Sequence, residues 1–188
     1  VDFTVAYRTD MPEFFGRNWG TFSHSIRGNW LIEQHDFVNI DDPTDSSDFE
    51  DTVGMPRVRF LSTVTWAPVD TVAFTWDWDW QASQEILDKD NLVANPDLYE
   101  TAKYLETGDF SQHDFSVRWS ARDNLTVRAG VVNAFDAEPA RWLGGTSSDN
   151  FDLFGRRFFL GVSRDRKHGN GGEHAEASVG EIFHGQIP

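Results

Sequence analysis

The residues best equipped for chemistry fall into three groups. The segment 36–51 holds Asp36, Asp41, Asp42, Asp45, Asp48, Glu50 and Asp51 without one Lys or Arg. Carboxylate oxygens are the ligands of hard divalent cations, but the glycine and ligand spacing of an EF-hand are absent. A solvated loop, held extended by its own charge, accounts for the run more simply. Asp77 and Asp79 stand two apart, on one face of an extended chain, as a general acid and base can stand. No third group accompanies them, and the same spacing arises wherever polar residues line a watery surface. His24, His35 and His113 lack the His-Glu-x-x-His spacing of a zinc hydrolase, and neither a Gly-rich phosphate loop nor a nucleophile elbow occurs. The chain is therefore expected to have no catalytic residue, no metal site and no cofactor, and an enzyme on a β scaffold is the weakest of the available readings.

What positions these residues is a period of two. In Phe74-Thr-Trp-Asp-Trp-Asp-Trp-Gln81, Phe74, Trp76, Trp78 and Trp80 alternate with Thr75, Asp77, Asp79 and Gln81, which predicts a strand with one aromatic and one polar face. A face with two carboxylates is too polar to pack against a second sheet, so it is expected to meet water. Three consecutive outward Trp positions suit a lipid interface better than a sugar-stacking site.

The alternation recurs along the chain. Phe22, Ile26, Trp30 and Ile32 oppose Ser23, Ser25, Arg27, Asn29 and Glu33 over 21–33, with His24 and Gly28 diluting the apolar side. Over 57–66, Val58, Phe60, Val64 and Trp66 oppose Arg57, Arg59, Thr63 and Thr65, and 67–71 reads as a tight reversal. Phe115, Val117 and Trp119 oppose Asp114, Ser116 and Arg118 over 111–119, and a turn at 121–124 leads to a strand over 125–133. There Leu125, Val127, Ala129 and Val131 oppose Thr126, Arg128 and Gly130. With Phe3, Val5 and Tyr7 at the start and a last strand over about 152–163, seven strands and no helix are expected, an antiparallel all-β chain. Arg27, Arg57, Arg59, Arg118, Arg128 and Arg157 fall on polar faces, where they can oppose Asp77 and Asp79 across neighbouring strands.

Composition agrees with a membrane wall. The 188 residues include 8 Trp and 16 Phe beside 3 Tyr, with mean hydropathy −0.50 and net charge −15. No stretch approaches the roughly 18 apolar residues of a membrane helix, whereas a barrel strand needs only alternate residues to face lipid. The net charge excludes nonspecific nucleic-acid binding, which needs Lys and Arg to neutralise phosphates. Zero cysteines exclude disulfides and thiolate metal sites. The opening VDFTVAYRTD has neither the basic region nor the apolar core of a secretory signal.

Connections alternate in length. Those at 67–71 and 120–123 are compact and 9–19 is intermediate, whereas 36–56, 82–109 and 134–150 are long, the asymmetry of outer-membrane barrels. With the long loops outside, the last strand runs toward the periplasm and the first, six strands earlier, runs the same way, which puts Val1 at the outer surface. Bacterial barrels have an even strand number with both ends in the periplasm, so strands upstream of Val1 are expected.

The segment 123–140, DNLTVRAGVVNAFDAEPA, resembles the stretch near the end of TonB-dependent outer-membrane receptors, where a turn and a strand lead to Asn-Leu-Phe-Asp and a proline. The counterpart is Asn133-Ala-Phe135-Asp136 with Pro139, and Asn150-Phe-Asp-Leu-Phe-Gly155-Arg156-Arg-Phe-Phe-Leu-Gly-Val-Ser163 resembles the family's final strand. Looser likeness covers the rest of 1–163. The chain departs from the family after Ser163: members usually end on an aromatic residue of the last strand, whereas 164–188 continues as a Gly-rich tail with His168, His174 and His184.

The resemblance implies that 1–163 is the last seven or so strands of a transmembrane barrel of about 22 strands closed by an N-terminal plug. It implies the outer membrane of a Gram-negative bacterium and uptake of a bulky nutrient such as a ferric siderophore, cobalamin or oligosaccharide. Its partners would be outer-membrane lipid, the remaining barrel and plug, and a TonB-type energy-transducing complex reached through the N-terminal region. Arg27, Arg59, Asp77, Asp79, Arg118 and Arg128 would face the lumen, and Phe22, Trp30, Phe60, Trp76, Trp78, Trp80 and Trp119 the lipid. The competing reading is a small stand-alone β-barrel or β-sandwich, soluble, that binds carbohydrate or a hydrophobic ligand and buries those aromatics.

Overall fold

The structure is a computed structural model. It describes residues 1–13, 15–37, 41–42, 44, 46–48, 51–86, 93–97, 105–139, 150–164 and 178–179. Ten strands form: β1 Asp2–Asp10, β2 Thr21–Trp30, β3 His35–Phe37, β4 Ser46–Asp48, β5 Val58–Val69, β6 Val72–Gln81, β7 Phe110–Arg122, β8 Leu125–Val132, β9 Arg157–Arg164 and β10 Ser178–Val179. They make an antiparallel eight-stranded sheet in the order β1-β2-β5-β6-β7-β8-β9-β10 and a separate β3-β4 ribbon. The chain is all-β, and helical backbone is confined, among the described residues, to Val93 and Ala94.

The seven expected strands are all present, with altered ends. β2 stops at Trp30, so Ile32 and Glu33 lie beyond it, and β9 begins at Arg157 rather than near 152, because Asp152 and Phe154 are held in a loop by Arg157. Two additions were not expected. The β3-β4 ribbon lies within the long 36–56 connection, and the tail returns Val179 and Ser178 to pair with Val162 and Ser163. No pairing among the described residues joins β1 to β9 or β10, so the sheet is open.

Register does what the alternation demanded. Phe22, Trp66, Phe74, Val117, Ala129 and Leu160 form one continuous row across six strands. Tyr7, His24, Val64, Trp76, Phe115, Val131 and Phe158 form the next. Directly paired residues share a face, so the alternating apolar sets land on the same side and Asp77, Asp79, Asp114, Arg27, Arg59, Arg118 and Arg128 on the other, where Leu61 and Phe159 join them. A one-residue slip at any pair would turn every strand on one side of that pair the wrong way relative to the rest.

The sheet is a single layer. Among the described residues, substantial contacts between elements run only between sheet neighbours, and the apolar residues buried below a tenth exposure are Ala73, Phe110 and Phe151. Aromatic residues of the apolar face stay open, Trp30 at 54%, Trp119 at 52% and Phe74 at 44%.

Short connections cluster at one end. β5 and β6 are joined through Asp70–Thr71 and β7 and β8 through Asp123–Asn124, each hairpin tightened by a register shift at its last pairs. The β1–β2 connection folds back at Gly20, whose φ of +77° and approach to the Ala67 carbonyl leave no room for a Cβ. Connections after β2, β6 and β8 gather at the opposite end.

Candidate functional site

The polar face is a set of cross-strand hydrogen bonds rather than a reaction centre. Arg59 on β5 donates from Nε (3.3 Å) and Nη2 (2.8 Å) to the carboxylate of Asp79 on β6. Thr63 donates to Asp77 at 2.5 Å, and Thr65 and Thr75 meet at 3.3 Å. Asp77 lies directly opposite Asp114 of β7, which accepts from Gln112 Nε2 and from the Asn133 amide at 3.1 and 2.8 Å. Asp77 and Asp79 are thus each engaged by a neighbouring strand, which fits lining residues.

The other expected arginines divide. Arg57 pairs with Asp51 at 3.0 Å and Arg157, the first residue of β9, with Asp152 at 2.6 Å, both with acids of the preceding loop and not across the sheet. Arg118 and Arg128 stand opposite each other, and neither they nor Arg27 reach a carboxylate among the described residues. Two like charges directly opposed repel, so Arg118, which among the described residues reaches only the Ser120 hydroxyl at 3.5 Å, and Arg128 would gain from an anionic group on the polar side, where Arg27 also stands.

At the long-loop end the connections pack on one another. Glu85 bridges Thr52 and Glu106, and Phe151 packs edge-on against Phe110 at 5.3 Å. Between them sit Gln81 and Gln84, each 1% exposed. Asn150 Nδ2 donates to both glutamine carbonyls at 3.1 and 3.0 Å, and the Gly54 amide fixes Gln84 Oε1 at 2.8 Å. Among the described residues, Gln81 Nε2, Gln84 Nε2 and Asn150 Oδ1 find no partner. Two donors and one acceptor are what a water or a hydroxyl satisfies at once. Sequence reading missed this cluster, because Gln and Asn at loop starts carry no periodic signal.

Of the acidic run, Asp45, Glu50 and the side chains of Asp36 and Asp48 lie outside the described residues. Asp42 accepts from the Thr44 hydroxyl and amide at 2.6 and 3.0 Å, contacts that hold its carboxyl below the usual range. His35 bonds Glu33, His24 bonds Ser62, and His113 lies on β7 far from either. Among the described residues no three His, Asp or Glu side chains converge as a metal site.

The residues that carry the family resemblance form a latch. Asn133, fully buried with φ +52°, donates from Nδ2 to the Ala137 carbonyl at 2.9 Å and accepts the Ala137 amide at 2.7 Å. Asp136, also left-handed at φ +58°, accepts the Arg156 amide at 2.8 Å, and a Cβ at Gly155 would strike that same Oδ1 at 2.7 Å. The start and end of the 133–156 connection are thereby tied together. Phe135, 68% exposed, turns its ring edge-on to His113 and Phe115, while Pro139 follows the Ala137 bond and is half-buried.

The aromatic face is a continuous ladder. Phe22 and Trp30 share it with Phe60, which stacks on Trp80 at 5.3 Å and meets Trp78 edge-on at 5.0 Å. Trp76 and Trp78 lie parallel at 6.4 Å with the His113 imidazole 5.8 Å from each. Trp119 lies opposite Val72 and Val127 near the short-turn end. Trp76, Trp78 and Trp80 span about 13 Å along one strand, so they occupy successive depths of that face. Comparison with protein-family models, with curated proteins and with solved structures gives no match.

Proposed function

We propose that this chain is part of the wall of an outer-membrane β-barrel of the TonB-dependent receptor type, in which it helps take up a bulky nutrient and carries out no covalent chemistry. The observation that carries the reading is the register: the seven long strands bring most of their apolar residues to one uncovered face and most of their charged residues to the other, with Leu61, Phe110 and Phe159 on the polar side and Arg164 at the short-turn end of the apolar side among the exceptions. In water such a face would have to be buried; in a bilayer it is the lipid surface.

Strand dimensions support the same reading. The seven strands run from 8 to 13 residues, around the roughly 9–11 that a tilted membrane strand needs. From the row Phe22–Trp66–Phe74–Val117–Ala129, the β1–β2 pairing ends one residue on at Thr21, whereas the β7–β8 pairing extends to Arg122 and Leu125. That stagger is about 12 Å over four strand spacings of about 4.8 Å each. A line through the short turns is therefore inclined about 30° to the strand perpendicular, near the 35–45° tilt of membrane barrels. The edge of β1, and the edge of β9 beyond the two residues that β10 covers, are where further strands would complete the barrel.

The polar face would then line the lumen and the long-loop end the outer mouth, with Arg27, Arg118 and Arg128 as its uncompensated cations. The motif Asn133, Phe135, Asp136, Gly155 and Arg156 supports the family likeness by fixing the last long loop. The barrel and plug, and an energy-transducing partner, belong to this proposal.

A second reading has one observation in its favour. β10 runs antiparallel to β9 and therefore antiparallel to β1, so an eight-stranded barrel could close with a conventional pair. Extraction separates the two. Expressed from its complete gene, the protein should sediment with outer membranes, resist carbonate and require detergent. Recovery as a monomer in detergent-free buffer would overturn the receptor-wall proposal and favour a small soluble β protein.

A further inference from the structure

The aromatic face is not evenly filled. Val117 and Ala129, directly paired on β7 and β8, are small residues among Trp66, Trp76, Phe115 and Phe158, and they floor a depression of about 550 Å³. Its rim at the short-turn side continues into a chain of rings. Phe74 stacks on Trp66 at 5.7 Å, and Trp66 stacks on Trp19 at 6.5 Å while donating its indole N–H to the Trp19 carbonyl at 2.9 Å. The guanidinium of Arg17 lies over the Trp19 ring at 5.8 Å. Arg17 is exposed and has no carboxylate partner among the described residues.

We propose that a glycerophospholipid of the leaflet at the short-turn end docks here, with an acyl chain in the Val117–Ala129 depression and its phosphate on Arg17. The proposal rests on the membrane reading above. Each half of the site answers one half of the ligand. An apolar trough open to the lipid side takes a hydrocarbon chain, and a cation braced on Trp19 at the interfacial end takes a phosphate, because Arg presents a planar donor fork to it. Trp19 and Trp66 are residues of the kind that settle at headgroup level. A neutral rim would leave acyl chains exchanging freely with bulk lipid; the cation makes the site selective for a phosphate-bearing lipid.

The test is retention of lipid by the protein expressed from its complete gene, assembled in bilayers of phosphatidylethanolamine and phosphatidylglycerol and then released into the gas phase for native mass spectrometry. One phospholipid per chain should remain bound. Arg17→Ala should lower the retained fraction at least about fivefold, the scale of one basic residue acting on an anionic headgroup. Ala129→Phe, which fills the depression, should abolish retention, whereas Val127→Phe on the same face of β8 but outside it should not. Arg17→Ala changes an exposed loop residue and leaves the sheet intact, so its result does not depend on how well the Ala129 variant folds. Retention unchanged in both variants, or no retained lipid from a chain that stays in the bilayer, overturns the docking site alone. A chain that never enters the bilayer overturns the membrane reading and this site together.

Discussion

The indole N–H of Trp76 on β6 donates to Nδ1 of His113 on β7 at 3.1 Å, across the middle of the aromatic face. Because Nδ1 accepts, the imidazole proton belongs on Nε2, which meets Ser111 Oγ at 3.3 Å, and the same hydroxyl accepts the Trp78 indole at 2.8 Å. Two indole donors on an apolar surface are thus satisfied from within the sheet, as a group in hydrocarbon must be. His113→Leu leaves Trp76 without an acceptor and should cost about 1–3 kcal/mol. Adding Trp76→Phe removes the stranded donor, so the double variant should cost less than the sum of the two single changes. Urea unfolding in lipid vesicles, followed by tryptophan fluorescence, measures the cycle; strict additivity would mean that the bond contributes nothing.

Adjacent residues of β7 should respond unequally to the same change. Val117 belongs to the aromatic face and Ser116 to the polar face. Val117→Arg should destabilise the assembled protein by about 2–4 kcal/mol if it sits near the bilayer midplane. Ser116→Arg, on the polar face, should change stability by much less. Equal losses would show that neither face contacts lipid.

Most of this architecture was legible because period-two alternation leaves one register in which all apolar sets agree. Phe74 to Gln81 fixed both the strand and its faces, and each neighbour had the same pattern to match. Ion pairing was less legible. Arg59 finds Asp79 diagonally, two residues from its direct partner Gln81, but Arg57 and Arg157 find acids in their own loops, because a loop folds back over a shorter distance than a strand spacing imposes. Arg118 and Arg128 became direct neighbours through register, which no single-strand pattern contains. Gln81, Gln84 and Asn150 escaped notice since their contacts join positions 66 and 69 residues apart. The tail pairing of Ser178 and Val179 is two residues long, too short for any periodicity.

Acid should loosen the last long loop. Asp152 accepts two bonds from Arg157, at 2.9 and 2.6 Å, and the Phe154 amide at 2.9 Å. The Arg157 guanidinium, ahead of the Phe154 amide, holds its carboxyl below the usual range against the cost of burial. A depressed carboxyl stabilises the fold above its unfolded pKa and loses that contribution as pH falls through the folded value. Protection of the Phe154 amide from hydrogen exchange should therefore persist from neutral pH to about pH 4 and fall below it. Asp152→Asn should lose roughly 1 kcal/mol of local stability at pH 7, near fivefold faster exchange, and should flatten the acid response. An acid response that survives Asp152→Asn would assign it to another carboxylate.

Asn133 joins backbone strain to side-chain bonding at one position, and the two can be separated. Its left-handed φ of +52° is a conformation that Asn tolerates better than other side chains and Gly tolerates freely. Its side chain closes a ring of two hydrogen bonds with Ala137, and its amide reaches Asp114 on β7. Asn133→Ala keeps the amide bond, loses the ring and adds strain, and should cost about 2–4 kcal/mol. Asn133→Gly loses the ring but not the conformation, so it should be milder by about 1 kcal/mol. Asn133→Asp keeps the acceptor for the Ala137 amide and places a carboxylate oxygen against the Ala137 carbonyl, so it should fall near Asn133→Ala. Unfolding in lipid vesicles orders the three. If Gly and Ala cost the same, the conformation contributes nothing and the hydrogen-bonded ring alone holds the base of the loop. If all three are neutral, the latch does not stabilise the fold, and its place next to the mouth of the proposed barrel would have to be explained by ligand capture instead.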